Sequence, residues 1–265
     1  MTTLSELVQS RELLVNLTLR ELRGKYKRSV MGWTWSLINP LATMAIFTIV
    51  FGAFLKVDVP PGRPSGLDVF ALYLVCGLLP WNFLSNGISG GMGSLLGNSN
   101  LIKKVYFPRE ILVVANVASW VVSFVIEMAV LAVVLLVFGN MVLPWLLPVV
   151  ALVVIQTAFV VGLGLMFSVL NVYFRDVQHF MGILLQLWFY GTPIVYPISY
   201  VPESIRFWYG LNPMVRFVEA YRDCLYDLRM PPLLDWIYLV AVAAVTLAAG
   251  WAVFVRLEPK LAEEM

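Results

Sequence analysis

The chain has 265 residues, of which 60% are apolar and 13% charged, with a net charge of +2. A globular domain carries roughly 25% charged residues, so this composition reads as a membrane protein. One histidine and two distant cysteines argue against a transition-metal site, and no GxxxxGK loop followed by Ser or Thr is present to cradle nucleotide phosphates.

Residues 4–28 read as a helix lying on the membrane. At about 100° per residue, Leu4, Leu7, Val8, Val15, Leu19, Leu22 and Tyr26 fall near one line, with Arg20, Arg23 and Lys27 toward the other side. A soluble helix packed on a partner would carry the same pattern. Trp33 and Trp35 follow where a water–lipid boundary is expected. The segment before the first apolar run is too polar for a signal-peptide core, so no cleavable leader is expected.

A spanning helix needs about 20 mostly apolar residues to cross a core of about 30 Å. Six stretches qualify, at 34–55, 68–87, 111–138, 144–170, 180–196 and 234–255. The fifth is short and holds Gly191 and Pro193. Alternating these spans from a cytoplasmic N-terminus puts twelve of the eighteen basic residues inside, which favours both termini in the cytoplasm. Asn39-Pro40 should kink or restart the first span. After the second, Gly87/Gly91 and Gly93/Gly97 form two small-xxx-small pairs, suited to close helix approach or to a flexible exit.

The next segment, GNSNLIKKVYFPRE at 97–110, places Leu101, Ile102, Val105, Tyr106 and Phe107 among lysines and stops at Pro108. That pattern suits a short amphipathic docking helix. Glu127 is the one acid deep within a span, a functional flag by default. Glu127 and Gln156 both sit roughly 16–18 Å below the outer ends of their helices, so a hydrogen-bonded pair is the favoured reading over a proton or substrate role. Asp176 is positioned to cap the fifth helix, and His179 reads as a polar flank. The fifth span ends in Gly191-Thr-Pro193-Ile-Val-Tyr196-Pro197. Apolar patches around Phe207-Trp208 and Phe217–Tyr221 follow, broken by Asn212-Pro213. Two half-helices dipping into the outer leaflet would account for this, provided protein buries them or they line a path. Cys76 lies inside a span and far from Cys224, so no disulfide between them is expected.

Seven motifs occur in order: GWTWSLINP at 32–40, YLVCGLLPWNFL at 73–84, NSNLIKKVYFPREIL at 98–112, LNVYFRDV at 170–177, TPIVYP at 192–197, LNPMVRFVEAYR at 211–222 and RLEPKLAE at 256–263. Together they closely resemble the ABC-2 type permeases that export cell-surface polysaccharides such as O-antigen, capsule, teichoic acid and galactan. The resemblance implies an all-α, six-span subunit, with an interfacial helix over 1–33, a bundle over 34–255 and a cytoplasmic tail over 256–265. It implies a homodimer working with two separate ABC ATPase subunits, which would hold ATP and Mg²⁺; this chain would carry no cofactor, catalytic residue or metal and meet no nucleic acid.

By the same resemblance, Asn98, Ser99, Asn100, Leu101, Ile102, Lys103, Lys104, Val105 and Tyr106 form the ATPase-coupling helix. The outer gate would comprise Pro193, Pro197, Phe207, Trp208, Asn212, Pro213, Phe217 and Tyr221. The implied substrate is a polyprenyl-diphosphate-linked polysaccharide crossing the bacterial inner membrane. Trp81, Phe83, Trp188, Phe189, Tyr190 and Tyr196 are candidates for a sugar-stacking path, with packing or lipid-facing roles as their alternative. An ABC-2 exporter of a drug or lipid is the rival function. A membrane-embedded transferase on lipid-linked sugars would need clustered acids or a metal site, and the acids here are scattered.

Overall fold

The computed structural model describes residues 10–25, 31, 34–54, 61–105 and 107–264. Leu4, Leu7, Val8, Tyr26, Lys27, Trp33 and Tyr106 therefore lie outside the described residues. Helix α1 spans Arg11–Lys25. Helix α2, Trp35–Phe47, passes into a π-helical stretch at Thr48–Phe54. The helix runs through positions 39 and 40, so the expected restart at Asn39-Pro40 is not seen.

Three 28-residue helices make the centre of the bundle: α3, Phe70–Gly97; α5, Glu110–Val137; and α6, Leu146–Tyr173. Each is roughly 42 Å long at about 1.5 Å per residue, longer than a hydrocarbon core of about 30 Å. Helix α3 packs on both α5 and α6 and is the most buried of the long helices. It continues well past Gly87, where a span end was expected, because Gly87 and Gly91 are needed inside the bundle. A methyl on Gly87 would meet Val160 at 2.5 Å, and one on Gly91 would sit 3.3 Å from the Gly164 Cα. Gly93 and Gly97 face open space instead.

Between α3 and α5 lies the short helix α4, Ser99–Lys104. Helix α7, Asp176–Tyr190, stops before Gly191 and is 15 residues long, so the fifth apolar stretch is not helical to its expected end. Asp176 is the first helical residue and makes no cap bond, contrary to the capping expectation. Two short helices follow, α8 at Glu203–Gly210 and α9 at Pro213–Arg222, the latter running on as a π-helical turn to Asp227. Helix α10, Leu233–Leu257, packs along α6, and α11, Leu261–Glu264, ends the described chain.

All regular elements among the described residues are helical. Four helical segments there are long and apolar enough to span a membrane: Phe70–Gly97, Glu110–Val137, Leu143–Tyr173 and Leu233–Leu257. Two apolar cores share the length of the bundle. The larger joins α3, α5 and α6 to α9 through Phe83, Phe124, Phe159, Phe217 and Tyr221. The smaller gathers Leu17 of α1, Leu95, Ile102 of α4, Ile111, Leu165, Phe254 and Leu261.

Candidate functional site

The functional residues read from the sequence fall into two groups at opposite ends of α3. At the α4 end, Asn98 joins α3 to α4. Its Nδ2 donates to the Ser94 carbonyl at 2.8 Å, and its Oδ1 accepts from Arg20 of α1 at 2.7 Å. Helix α1 is thereby tied to the docking segment. Lys103, Lys104 and Val105 are exposed, and Leu101 is half-buried. Ile102 is only 6% exposed and points into the smaller core. Ile102 was expected on a docking helix, but within that six-residue helix the face bearing it is consumed by the chain's own packing. Helix α1 likewise uses Leu17 and Leu22 to pack inward and leaves Val15 and Leu19 exposed.

Arg20 also pairs with Glu21 at 2.8 Å, and Glu21 accepts from Asn116 of α5 at 3.3 Å. Lys25 donates to the Ser119 carbonyl at 3.0 Å and to Ser123 Oγ at 3.2 Å, with its ammonium 3.3 Å from the centre of the Trp120 ring. Burial pushes the Lys25 ammonium down to about 8, and the nearby carboxylates of Glu127 and Glu21 oppose that shift.

The expected Glu127–Gln156 hydrogen bond is not formed. Gln156 is fully buried, and its Nε2 donates to the Pro80 carbonyl at 2.8 Å while its Oε1 has no partner among the described residues. Equal depth on two helices said nothing about rotation, and rotation turned Gln156 toward α3.

At the other end, the aromatic residues form a connected set. Trp81 of α3 meets Trp188 edge-on at 6.0 Å and Phe189 at 5.6 Å. Phe159 of α6 bridges Trp188 at 6.4 Å and Phe217 at 5.9 Å. Phe83 is 2% exposed and stacked on Phe124 at 4.8 Å, which makes it a core residue and removes it from any open path. Tyr190 is 65% exposed. Trp81, Phe189 and Tyr190 line a groove of about 330 Å³ together with Ser85, Ser89 and Gln186. Tyr196 lies apart from this groove's lining; its hydroxyl donates to the Tyr190 carbonyl at 2.8 Å and lies 3.2 Å from the Tyr209 hydroxyl.

The broken segment is held by two polar residues. Asn212 caps α9, its Oδ1 accepting from the Met214 amide at 3.0 Å and from Trp188 Nε1 at 2.7 Å. Its Nδ2 donates to the Gly191 carbonyl at 3.1 Å. Pro213 follows as the first helical residue, where a missing N–H costs nothing. The second is Arg222, the last residue of the motif at 211–222, which had no role assigned from the sequence. It is 2% exposed; its Nη1 donates to the Pro193 carbonyl at 2.6 Å and its Nη2 to the Ile194 carbonyl at 2.7 Å. The guanidinium also stands 3.7 Å over the Tyr73 ring and pairs with Glu219 at 2.8 Å. An arginine among apolar residues at membrane depth was the available signal. Phe217 and Tyr221 are buried, as are Pro193 and Pro197, whereas Phe207 and Trp208 are 70% and 68% exposed.

Comparison with known proteins fits this arrangement. The family model described as ABC-2 type transporter matches residues 12–226. The chain belongs to the ABC-2 type transporter family. This transporter is 33% identical to the O-antigen export system permease protein RfbA of Myxococcus xanthus, over 98% of each chain. It is 30% identical to the Klebsiella pneumoniae protein of the same name, over 95% of this chain and 94% of that one. It is also 23% identical to the polysialic acid transport protein KpsM of Escherichia coli, over 90% of each. The matched region of the transporter takes in both ends of α3, from α1 to the π-helical turn after α9. Among the described residues no group of acidic, cysteine or histidine side chains could hold a metal.

Proposed function

We propose that this chain is the permease subunit of an ATP-driven exporter that moves a polyprenyl-diphosphate-linked polysaccharide across the bacterial inner membrane. The observation that carries the reading is near end-to-end similarity to proteins named as O-antigen export permeases. In this reading the four long spans are joined by α2 with its π-helical continuation and by α7, making six. Both termini face the cytoplasm, residues 34–255 form the bundle, and two copies enclose the path.

Helix α4 docks on a separate ATPase subunit, one per permease, and presents Lys103, Lys104 and Val105. The helices α8 and α9 form the outer gate, with α9 anchored in the bundle and α8 exposed beside it. The groove beside Trp81, Phe189 and Tyr190 offers what a sugar needs: aromatic surface for the ring faces and Ser85, Ser89 and Gln186 for the hydroxyls. A polymer far longer than the roughly 30 Å core cannot be enclosed and released, so transport is processive.

Deletion of the gene tests this directly. The expected result is loss of a surface polysaccharide, with its lipid-linked form accumulating inside and wild-type chain restoring export. Unchanged surface polysaccharide with altered sensitivity to drugs would establish the rival ABC-2 function.

A further inference from the structure

A cavity of about 510 Å³ opens between α1, α3 and α5 at the α4 end of the bundle. Its volume lies within the roughly 300–1,000 Å³ of small-molecule sites. The floor is bare backbone: Gly93 and Gly97 of α3 and Gly24 of α1 all line it, and a methyl added at any of the three would meet nothing within 4 Å among the described residues. The walls carry Arg20, Lys25, Asn98, Asn116 and Trp120, with Glu21 as the one carboxylate. Glu21 is already engaged by Arg20 and Asn116.

We propose that this cavity binds a phosphate-bearing anion, and that its source is the diphosphate head of the lipid carrier; the source rests on the export reading above. The chemistry of the walls selects an anion. Arg20 supplies a planar fork of donors suited to phosphate oxygens. Lys25 supplies an ammonium that, among the described residues, donates to the neutral oxygens of Ser119 and Ser123. Among the described residues no carboxylate lies within ion-pair distance of it. With the Glu127 and Glu21 carboxylates acting on it only from beyond ion-pair distance, an ammonium lifted partly out of water gains from an anion that arrives in contact. The glycine floor leaves room for the anion to sit against the helix backbone, while Trp120 gives an apolar edge for the first carbons of a chain.

The placement also links the site to docking. Arg20 holds Asn98 at 2.7 Å, directly before α4. A diphosphate drawing on the same guanidinium competes with that bond, so head-group arrival would be felt at the segment that meets the ATPase.

The test is equilibrium binding to the full-length permease in phosphatidylcholine nanodiscs. Three probes are used: a polyprenyl diphosphate, the matching neutral polyprenol, and inorganic diphosphate. The diphosphate lipid is expected to bind at least about tenfold more tightly than the polyprenol. Gly93→Leu, which fills the cavity, should weaken it at least about tenfold, as should the double change Arg20→Gln with Lys25→Gln; polyprenol binding should stay unchanged.

Equal affinity for polyprenol and its diphosphate, or undiminished binding by a folded Gly93→Leu protein, would overturn the site. Inorganic diphosphate binding as tightly as the lipid form would overturn the lipid source. Should the double change fail to fold, Gly93→Leu still decides, because its side chain enters open space and its folding is checked by thermal unfolding. Failure of the export reading would show separately, as unchanged surface polysaccharide on gene deletion with diphosphate binding intact.

Discussion

Gly250 of α10 is seated on the backbone of Gly162 of α6: a methyl on Gly250 would come within 2.0 Å of the Gly162 carbonyl oxygen. The reverse contact is as tight, since a methyl on Gly162 would lie 2.6 Å from the Thr246 carbonyl group. Lipid tails are as apolar as leucine, so helices in a bilayer gain from close packing where small residues let backbones meet. Each glycine closes a small-xxx-small pair in its own helix, Ala158/Gly162 and Thr246/Gly250, but neither pair says which helix it meets.

Gly250→Ala and Gly162→Ala should therefore each destabilise the protein. Overpacking typically costs about 1–3 kcal/mol, and here the obstacle is backbone with no flexible side chain to yield. Gly182→Ala, which enters open space on α7, should be neutral or stabilise by about 0.5–1 kcal/mol through better helix propensity. Thermal unfolding in detergent separates the two classes; equal midpoints for Gly250→Ala and wild type would mean that α10 does not cross α6 here.

Arg222→Met should loosen the segment after α7. It strands the carbonyls of Pro193 and Ile194, at about 1–3 kcal/mol for each buried group left unsatisfied. Arg222→Lys should rescue little, because a single ammonium cannot replace the guanidinium fork spanning two carbonyls. Full thermal stability in the lysine variant would show that the fork is not needed.

On α4 the exposed residues, and not Ile102, should govern docking. Lys103→Glu with Lys104→Glu, or Val105→Asp, should lower co-purification with the ATPase subunit while leaving the yield of permease unchanged. Ile102→Asp should instead reduce the yield itself, since it buries a carboxylate in the cluster of Leu17, Leu95 and Ile111. Normal co-purification of the lysine and valine variants would remove α4 as the docking element.

Glu127 and Gln156 should act independently. Gln156→Leu loses the bond to Pro80, worth about 0.6 kcal/mol and at most about 1.7 for interhelical hydrogen bonds in lipid. In a double-mutant cycle with Glu127→Gln, the coupling should stay within about 0.5 kcal/mol, the range for residues that share no partner. A larger coupling would restore the direct pair that the structure does not contain.

Among the aromatics, Tyr190→Ala should reduce export without unfolding the protein, because the ring is exposed at the groove. Phe83→Ala should cost about 3–5 kcal/mol of stability, as for a buried phenylalanine. Export assayed alongside unfolding discriminates a path residue from a packing residue; unimpaired export by Tyr190→Ala would remove it from the path.

What the residues alone determined follows from local rules. In lipid each backbone polar group must be satisfied within its own segment, so apolar length announces the long helices directly. Asn212-Pro213 announces the start of α9 in the same way, because a cap and a fixed φ act within one turn. The helix α4 between Asn98 and Pro108 was legible for that reason too, as was a break within Gly191–Pro197, although the helix stops at Tyr190, short of the expected end of the span.

Only the tertiary structure decided which way each helix turns. A helix apolar all round has no stripe to orient it, so periodicity could not say that Gln156 faces Pro80, that Phe83 stacks on Phe124, or that Gly162 meets Gly250. Ile102 went inward because α1 supplies Leu17 across a sequence gap that no local pattern spans. Arg222 found its carbonyls only because α9 folds back against the end of α7, bringing residues about thirty positions apart into hydrogen-bond contact.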